Sequence, residues 1–415
     1  MQEMAFVKQV RAAGGKVYAV GGWVRDQLRG VSPKDKDYVV AGLTAEAFTA
    51  LFPEAKCVGI SFPVFLLPMG KWSAEIALAR RERKRGTGYR GFAVEADGTV
   101  TIEEDLFRRD TTINSMAMEL PGERIIDPYG GQNDIDKHLI RAVSSHFMDD
   151  PVRALRAARQ AAEFDFSVTP ETISYMTACQ DELCQEPGER ILGELTRALS
   201  SPRPSVFFRV LRQAGLLEAV FPEIHALIDK TQPAFFHPEG DAFEHTMYIV
   251  DAVAAENEDV VTRFAALAHD LGKGTTPSEM LPHHYGHEDR GIEVLDAWGK
   301  RLPFSTRWRE TARFVIAEHM RAPRLNKPGK IVRLLLALSR LPIGAAGFSL
   351  IIQKDHGSLP SYLAHASEYL RLIQSVRGTD APKGLRGKAI GDWLLSRQIQ
   401  LYQAAFNKVA FVAST

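Results

Sequence analysis

The chain has little cysteine, no net charge and no long hydrophobic run. Its 415 residues include only three cysteines, Cys57, Cys179 and Cys184. They form neither a C-x-x-C pair nor an even set, which argues against a disulfide scaffold and fits a reducing cytoplasm. Charge of either sign is balanced, with 51 Lys and Arg against 51 Asp and Glu. Any nucleic-acid surface must therefore be a local patch and not a global field. No apolar run approaches the roughly 18 residues needed to span a bilayer. The first sixteen residues, MQEMAFVKQVRAAGGK, read as a short amphipathic helix without an apolar leader or a small-residue cleavage site. A cytoplasmic protein that does not meet the membrane is the expectation. Its hydrophobic content of 45% and charged content of 25% are ordinary for a globular protein. A chain this long exceeds one core and implies about two to four domains.

The stretch from Tyr18 to Val40, YAVGGWVRDQLRGVSPKDKDYVV, is where chemistry first shows. A short apolar run ends in Gly21-Gly22, Arg25 follows, and Pro33 leads into Asp35-Lys36-Asp37 and a second apolar run. Side chains on a strand alternate faces, so Asp35 and Asp37 are expected on one side, close together. Two carboxylates that close repel each other, and a divalent cation with a taste for hard oxygen ligands, Mg²⁺, removes the cost. The glycines allow close backbone approach to a triphosphate, and Arg25 offers a charge-assisted contact to it. Alone, an Asp-x-Asp or a Gly-Gly is a turn; within one strand-turn-helix-strand unit they suggest nucleotidyl transfer.

This block resembles the head of the class II tRNA nucleotidyltransferases, the CCA-adding enzymes, and of their bacterial poly(A) polymerase relatives. The resemblance implies that Gly21, Gly22 and Arg25 bind the nucleotide and that Asp35 and Asp37 hold the catalytic metal. It implies an α/β, polymerase-β-like head with a small mixed sheet, followed by a mostly helical neck and body. Runs at Phe62–Leu67, Ala74–Ala79 and Val94–Ile102, the last about an Asp97-Gly98 turn, read as further strands. That superfamily carries a third carboxylate on a neighbouring strand, which points to Glu75.

Arg80 to Arg85 then places five cations in six positions, followed by glycines at 86, 88 and 91. Such a run reads as a mobile, solvated loop able to draw a polyanion. The family has a loop here associated with adding the terminal A. Arg108-Arg109-Asp110-Thr111-Thr112-Ile113-Asn114-Ser115-Met116-Ala117 resembles the family signature RRD-x-TIN-x-(M/L)A. There the arginines and the aspartate hold the incoming nucleotide; physically, the carboxylate can brace one side of a guanidinium fork. Ile125 to Gly131 reads as a turn closing the sheet domain.

After Arg141 the texture turns helical. Asp149-Asp150-Pro151 precedes a helix with Arg153 and Arg156 on one face near its start. The segment resembles the family's Glu-Asp-x-x-Arg motif, with Asp149 in place of the glutamate. The resemblance implies that Asp150 and Arg153 form a protein template for C and A, since a carboxylate accepts from either exocyclic amino group and an arginine donates to the ring edge. Arg156 is placed with the nucleotide-binding groups. Glu189 to Leu195 resembles the next family motif, which braces the template helix.

A second chemistry lies downstream. His245, then His269-Asp270 on an apolar helix, then Asp355 resemble the HD phosphohydrolase superfamily, in which two histidines and two aspartates bind a metal in a helical bundle. Mixed imidazole and carboxylate ligands suit Ni²⁺ or another transition metal. Lys273 is positioned to stabilise phosphate charge, and His283, His284, His287 and His319 are candidates for lining the pocket. Cations from Arg321 to Arg333 and from Lys383 to Lys388 read as solvated faces able to meet tRNA phosphates.

The expected division is a head over 1–138, a neck and body over 139–235, an HD domain over 236–357 and a helical tail over 358–415. The resemblance implies addition and repair of the tRNA 3′-terminal CCA from CTP and ATP, with a second phosphohydrolase activity. Poly(A) polymerase, an A-adding enzyme of a split system, or an HD phosphohydrolase with a non-catalytic RNA-binding head are the alternatives. Tail composition and net charge argue against the first, and the Asp35/Asp37 pair against the last. Monomer and homodimer both remain open.

Overall fold

Period-two alternation of β-branched and aromatic residues builds the sheet that carries the first site. The N-terminal amphipathic segment forms α1 (Glu3–Ala12), burying Phe6, Val7 and Val10. Then come β1 (Lys16–Val20), α2 (Gly22–Leu28), β2 (Asp37–Ala41), α3 (Ala45–Leu51), β3 (Lys56–Val58), β4 (Val64–Met69) and β5 (Trp72–Leu78). A separate hairpin, β6 (Arg81–Lys84) with β7 (Phe92–Glu95), precedes α4 (Ile102–Phe107), and β8 (Ala117–Leu120) and β9 (Arg124–Ile126) return to the sheet. The seven strands run in the order β3-β4-β5-β2-β1-β8-β9, antiparallel except for the parallel pair β2 and β5. Both faces are covered. Tyr38 and Val40 enter one core with Phe6, Phe48, Phe52 and Phe65, while Val39 and Ala41 enter another with Tyr18, Val20, Ile102 and Leu106. A one-residue slip of β2 would exchange the two sets, so the register is strongly specified.

This computed structural model describes every residue except 34, 60–62, 85–91, 234, 236–237, 239 and 414–415. The chain divides into two units, Met1–Glu194 with Val206–Val220 and Leu195–Ser205 with Phe221–Thr415. In the first, α5 (Gly131–Asp136) follows the sheet and α6 (Val152–Phe164) begins just after Asp150 and Pro151. The second is helical, with helices Ala242–Ala254, Val260–Ala268, His287–Arg301, Thr306–Glu318 and Gly344–His356. Its core joins Ile249, Val253, Ala265, Val315 and Phe348 to Tyr369 and Tyr402 from the last two helices. No helix among the described residues is long and apolar enough to cross a membrane.

Three local expectations change. Asp35 is not on the strand: β2 starts at Asp37, opposite Val20, because β1 ends where Gly21 turns with φ +66° and offers no partner further back. Val94–Ile102 does not fold back as a hairpin about Asp97-Gly98: its strand part ends at Glu95 and pairs with Arg81–Lys84 instead. Thr101 and Glu104 form a reciprocal capping box that starts α4 at Ile102. The basic run is not wholly a solvated loop either. Arg81–Lys84 pairs with Phe92–Glu95, and its first charges are neutralised by Arg80–Glu82 and Arg81–Glu104 contacts at 2.9 and 2.7 Å. The remainder of that expected loop, 85–91, lies outside the described residues.

Candidate functional site

Parallel pairing of Tyr38 with Ile76 brings the preceding residues, Asp37 and Glu75, side by side where β2 begins. Both share parity with residues that enter the core under α4, so both project to that face. Lys36 and Tyr38 go the other way and meet the Glu3 carboxylate at 2.6 and 2.7 Å. The pKa of Asp37 is raised, first by burial and then by the charges of Glu75 and Asp35, against an opposing pull from Arg109. Glu75 and Asp35 are thus both within electrostatic reach of Asp37. Their mutual repulsion is the kind a divalent cation relieves, so their chemistry fits one.

Gly21 is buried with positive φ, and a Cβ there would stand 3.2 Å from Nη1 of Arg109. Its absence lets that guanidinium lie across the turn. Arg25 is already engaged: its fork is bidentate to Asp26 at 2.9 and 3.0 Å, and Nη1 donates to Asn114 at 2.7 Å. Both Arg25 and Arg29 stack on Phe164 at 4.4 Å.

The carboxylate that braces Arg108 and Arg109 is not Asp110 but Asp105. Fully buried, Asp105 accepts from Arg108 Nη2 at 2.6 Å and Arg109 Nη2 at 3.0 Å. Burial alone would raise its pKa, but the two guanidinium groups hold it below the usual range. Arg108 also donates to Glu82 at 2.8 Å. Asp110 instead accepts from Arg156 on α6 at 2.8 Å and from Gln160 at 3.3 Å. Against the effect of burial, Arg156, Arg153 and the Thr111 N–H keep its carboxyl well below the ordinary range. The reason is position. Asp105 is three and four residues before the arginines, where helical side chains meet, whereas Asp110 lies past the turn.

Just before α6, Asp150 accepts from the Val152 N–H at 3.2 Å, and its two oxygens accept from Arg190 Nη2 at 2.8 and 3.0 Å. Arg153 donates to the His146 carbonyl at 2.6 Å and lies 4.0 Å from Glu82. Arg190, in helix Gly188–Leu199, and Glu194, which accepts from Arg159 at 2.7 Å, hold α6 at two points.

The second unit brings His245, His269, Asp270 and Asp355 together from helices far apart in the chain. His245 Nε2 is 3.1 Å from Asp355 Oδ1, and His269 Nε2 is 3.1 Å from Asp270 Oδ2. Lys273 Nζ is 2.6 Å from Asp270 Oδ2 and donates to Gln232. His269 Nε2, Asp270 Oδ1 and Asp355 Oδ2 are buried without a hydrogen-bond partner, while Asp270 Oδ2 is held by the Lys273 ammonium. Buried polar atoms seldom stay unpaired, and these donor types fit a transition metal. Burial pulls the His269 pKa down, yet the Asp270 and Asp355 charges outweigh it and push the value up to about 8. The site opens into a cavity of about 690 Å³ lined by His245, Lys273, His287, Arg324 and Asp355. His284 is turned to Thr276 and the Thr231 carbonyl, and His283 stacks on exposed Tyr285. His287 and His319 stand as close to Asp270 as a ligand would, each at 3.4 Å.

Sequence reasoning missed Asp105, Glu82 and Phe164. Asp105 carried a usable signal in its spacing to the arginine pair, and Glu82 in being the lone acid of a basic run. Phe164 carried none, since only the tertiary fold brings it under Arg25.

Residues 17–141 match the poly A polymerase head domain family, 165–228 a family described as a probable RNA and SrmB-binding site of polymerase A, and 242–341 the HD domain family. The chain is 41% identical to the multifunctional CCA protein of Cupriavidus metallidurans, over 95% of this chain and 98% of that one. It is 40% identical to the protein of the same name from Acinetobacter baumannii, over 93% and 96% of the two chains. Its fold is similar to that of the Bacillus stearothermophilus CCA-adding enzyme in complex with CTP, with TM-score 0.65 at 22% identity, covering 98% of this chain and 92% of that one. It is also similar to the Thermotoga maritima CCA-adding enzyme complexed with tRNA, with TM-score 0.59 at 23% identity and coverage of 96% and 90%.

Proposed function

The chain belongs to the family of multifunctional CCA proteins, and from that premise we propose that it adds and repairs the 3′-terminal CCA of tRNA from CTP and ATP. The observation that carries the proposal is the β2–β5 pairing that sets Glu75 beside Asp37, with Asp35 and Arg109 in electrostatic reach of Asp37. Those three residues would hold Mg²⁺, which supplies charge neutralisation for the triphosphate and the attacked phosphorus. Gly21 and Gly22 leave room beside the phosphates, and Arg25, Arg108 and Arg109 hold the nucleotide's sugar and phosphates. Asp110 and Arg156 tie the signature loop to α6. Asp150 accepts from the amino group of C or A while Arg153 donates to the ring edge, so U and G, which lack that donor, are refused. The Asp150–Arg190 ion pair must open, or share its oxygens, for a base to be read. The tRNA 3′-hydroxyl displaces diphosphate from the nucleotide's α-phosphorus, extending the RNA by one residue.

The second unit acts as a metal-dependent phosphohydrolase on 2′,3′-cyclic phosphates, 2′-phosphates and other phosphomonoesters. His245, His269, Asp270 and Asp355 would hold Ni²⁺ or another transition metal, which supplies Lewis acidity and an acidified water. Lys273 steadies the phosphate charge. In this reading the head is 1–138, the template-bearing body 139–235, the HD domain 236–357 and the tail 358–415.

The test uses tRNAs ending before the first C, the second C and the terminal A, with labelled CTP, ATP, UTP and GTP and Mg²⁺. We expect three, two and one additions, in the order C, C, A. Addition of A alone would replace this reading with that of an A-adding enzyme.

A further inference from the structure

The cavity of the second unit has one wall residue whose side chain is only half used. Gln232 is 7% exposed and lines the cavity together with His245, Lys273 and Asp355. Its Oε1 accepts from Lys273 Nζ at 2.6 Å, and the same ammonium lies 2.6 Å from Asp270 Oδ2. An ammonium only donates, so the amide oxygen must face it and the N–H₂ group turns the other way. Nε2 is buried, and no acceptor among the described residues meets it. A buried donor left unpaired is costly, and such groups are seldom kept without a role.

The backbone around Gln232 is fixed by groups on the other side of the site. The Thr231 carbonyl only accepts, so His284 Nε2 carries the proton and donates to it at 3.0 Å. That leaves His284 Nδ1 to accept from the Thr276 hydroxyl at 2.8 Å. Lys230 Nζ in turn donates to the Thr276 carbonyl at 2.8 Å. Thr276 closes the turn Leu271–Thr275 that carries Lys273. Gln232 and Lys273 therefore stand on two segments tied to each other on both sides of the amide, and the free N–H₂ keeps its direction.

We propose that Gln232 donates through Nε2 to a non-bridging oxygen of the phosphoester bound in this cavity, beside Lys273. This rests on the phosphohydrolase reading of the site. In the hydrolysis a water oxygen bonds to phosphorus and the bond from phosphorus to one ribose oxygen breaks. One proton of that water ends on the released ribose hydroxyl. Negative charge builds on the non-bridging oxygens on the way, and a fixed N–H at one of them stabilises it. A neutral donor suits this place, because a further cation would be repelled by Lys273.

The test is hydrolysis of 2′,3′-cyclic AMP with Ni²⁺ by full-length Gln232→Glu and Gln232→Met proteins. Glutamate keeps the size of the side chain and its hold on Lys273 but offers no donor, whereas methionine keeps neither polar function. Both variants should lose about 10²–10³-fold in kcat with bound Ni²⁺ at the wild-type level, and KM should change far less. Loss in Gln232→Met with near-normal kcat in Gln232→Glu would overturn the proposal, leaving Gln232 as a brace for Lys273 alone. Normal rates in both would overturn it outright, and so would a loss matched by loss of bound Ni²⁺. Near-ultraviolet circular dichroism establishes folding. If Gln232→Glu is not folded, a crystal structure of the wild type with inorganic phosphate decides. A phosphate oxygen within about 3.2 Å of Nε2 is expected, and a phosphate at any other place in the cavity overturns the contact. No hydrolysis by the wild type would overturn the phosphohydrolase reading and the contact with it.

Discussion

Replacing Asp105 by asparagine removes one charge from a fully buried side chain and changes nothing in its size. In the native head its oxygens accept from Arg108 at 3.1 and 2.6 Å, from Arg109 at 3.4 and 3.0 Å, and from the Arg80 N–H at 3.3 Å. An amide offers one oxygen and turns its own N–H₂ toward a guanidinium, so one arginine loses its partner outright. A hydrogen bond to a charged group contributes about 1.5–3 kcal/mol and breaking a buried pair costs about 3–5 kcal/mol. Arg108 keeps Glu82 at 2.8 Å, which offsets part of the loss. Asp105→Asn should therefore destabilise the head by about 2–4 kcal/mol, a Tm shift of roughly 4–16 °C for a unit of this size. The sign with pH follows from the depressed pKa of Asp105. Its contribution is present above the unfolded value of about 3.9 and fades as pH falls through the lower folded value, so the gap between variant and wild type should close in acid. Calorimetry from neutral pH into acid reads the gap, which should be full above roughly pH 5 and narrow below the unfolded value of about 3.9. Incorporation kinetics should show KM raised for CTP and ATP alike, because Arg109 is no longer held. An unchanged Tm at neutral pH together with an unchanged KM would refute the reasoning.

Arg153→Ala should relax discrimination against UTP and GTP by about ten- to hundredfold, the roughly 1–3 kcal/mol of one base-edge contact, while slowing addition overall. Competition assays with mixed nucleotides check it, and unchanged selectivity would move the template elsewhere. Gly272→Ala forces a Cβ into the His287 carbonyl, so it should abolish phosphohydrolase activity and destabilise the second unit by about 1–3 kcal/mol. Nucleotide addition should continue, and a variant with normal phosphohydrolase rates would show that the close approach is unnecessary.

Much of the first site could be read in the sequence because its determinants are local. Gly21-Gly22 followed by Arg25 announces a turn between strand and helix, and alternation through Tyr38 to Ala41 sets which way Asp37 points. Glu75 needed more, since only the parallel pairing of β2 with β5 places it beside Asp37. The misses share a cause. Asp35 fell off the strand because pairing ends with β1, a partner's property and not its own. The basic run became a strand because Phe92–Glu95 paired with it, and Glu82 and the more distant Glu104 took up its first charges. In the second unit His245, His269, Asp270 and Asp355 followed a recognisable order. His287 and His319, 32 residues apart, meet only because two helix ends converge on Asp270. Nothing in the residues flanking either histidine marks it as a partner of the other.

On the proposed function, one chain carries two chemistries with separate ligands, carboxylates alone in the head and imidazoles with carboxylates in the second unit. A single purified Asp270→Ala protein tests it, assayed side by side for CCA addition with Mg²⁺ and for hydrolysis of 2′,3′-cyclic nucleotides with Ni²⁺. Wild-type nucleotide addition and no hydrolysis are expected. Loss of addition in the folded variant, or retained hydrolysis, would contradict it.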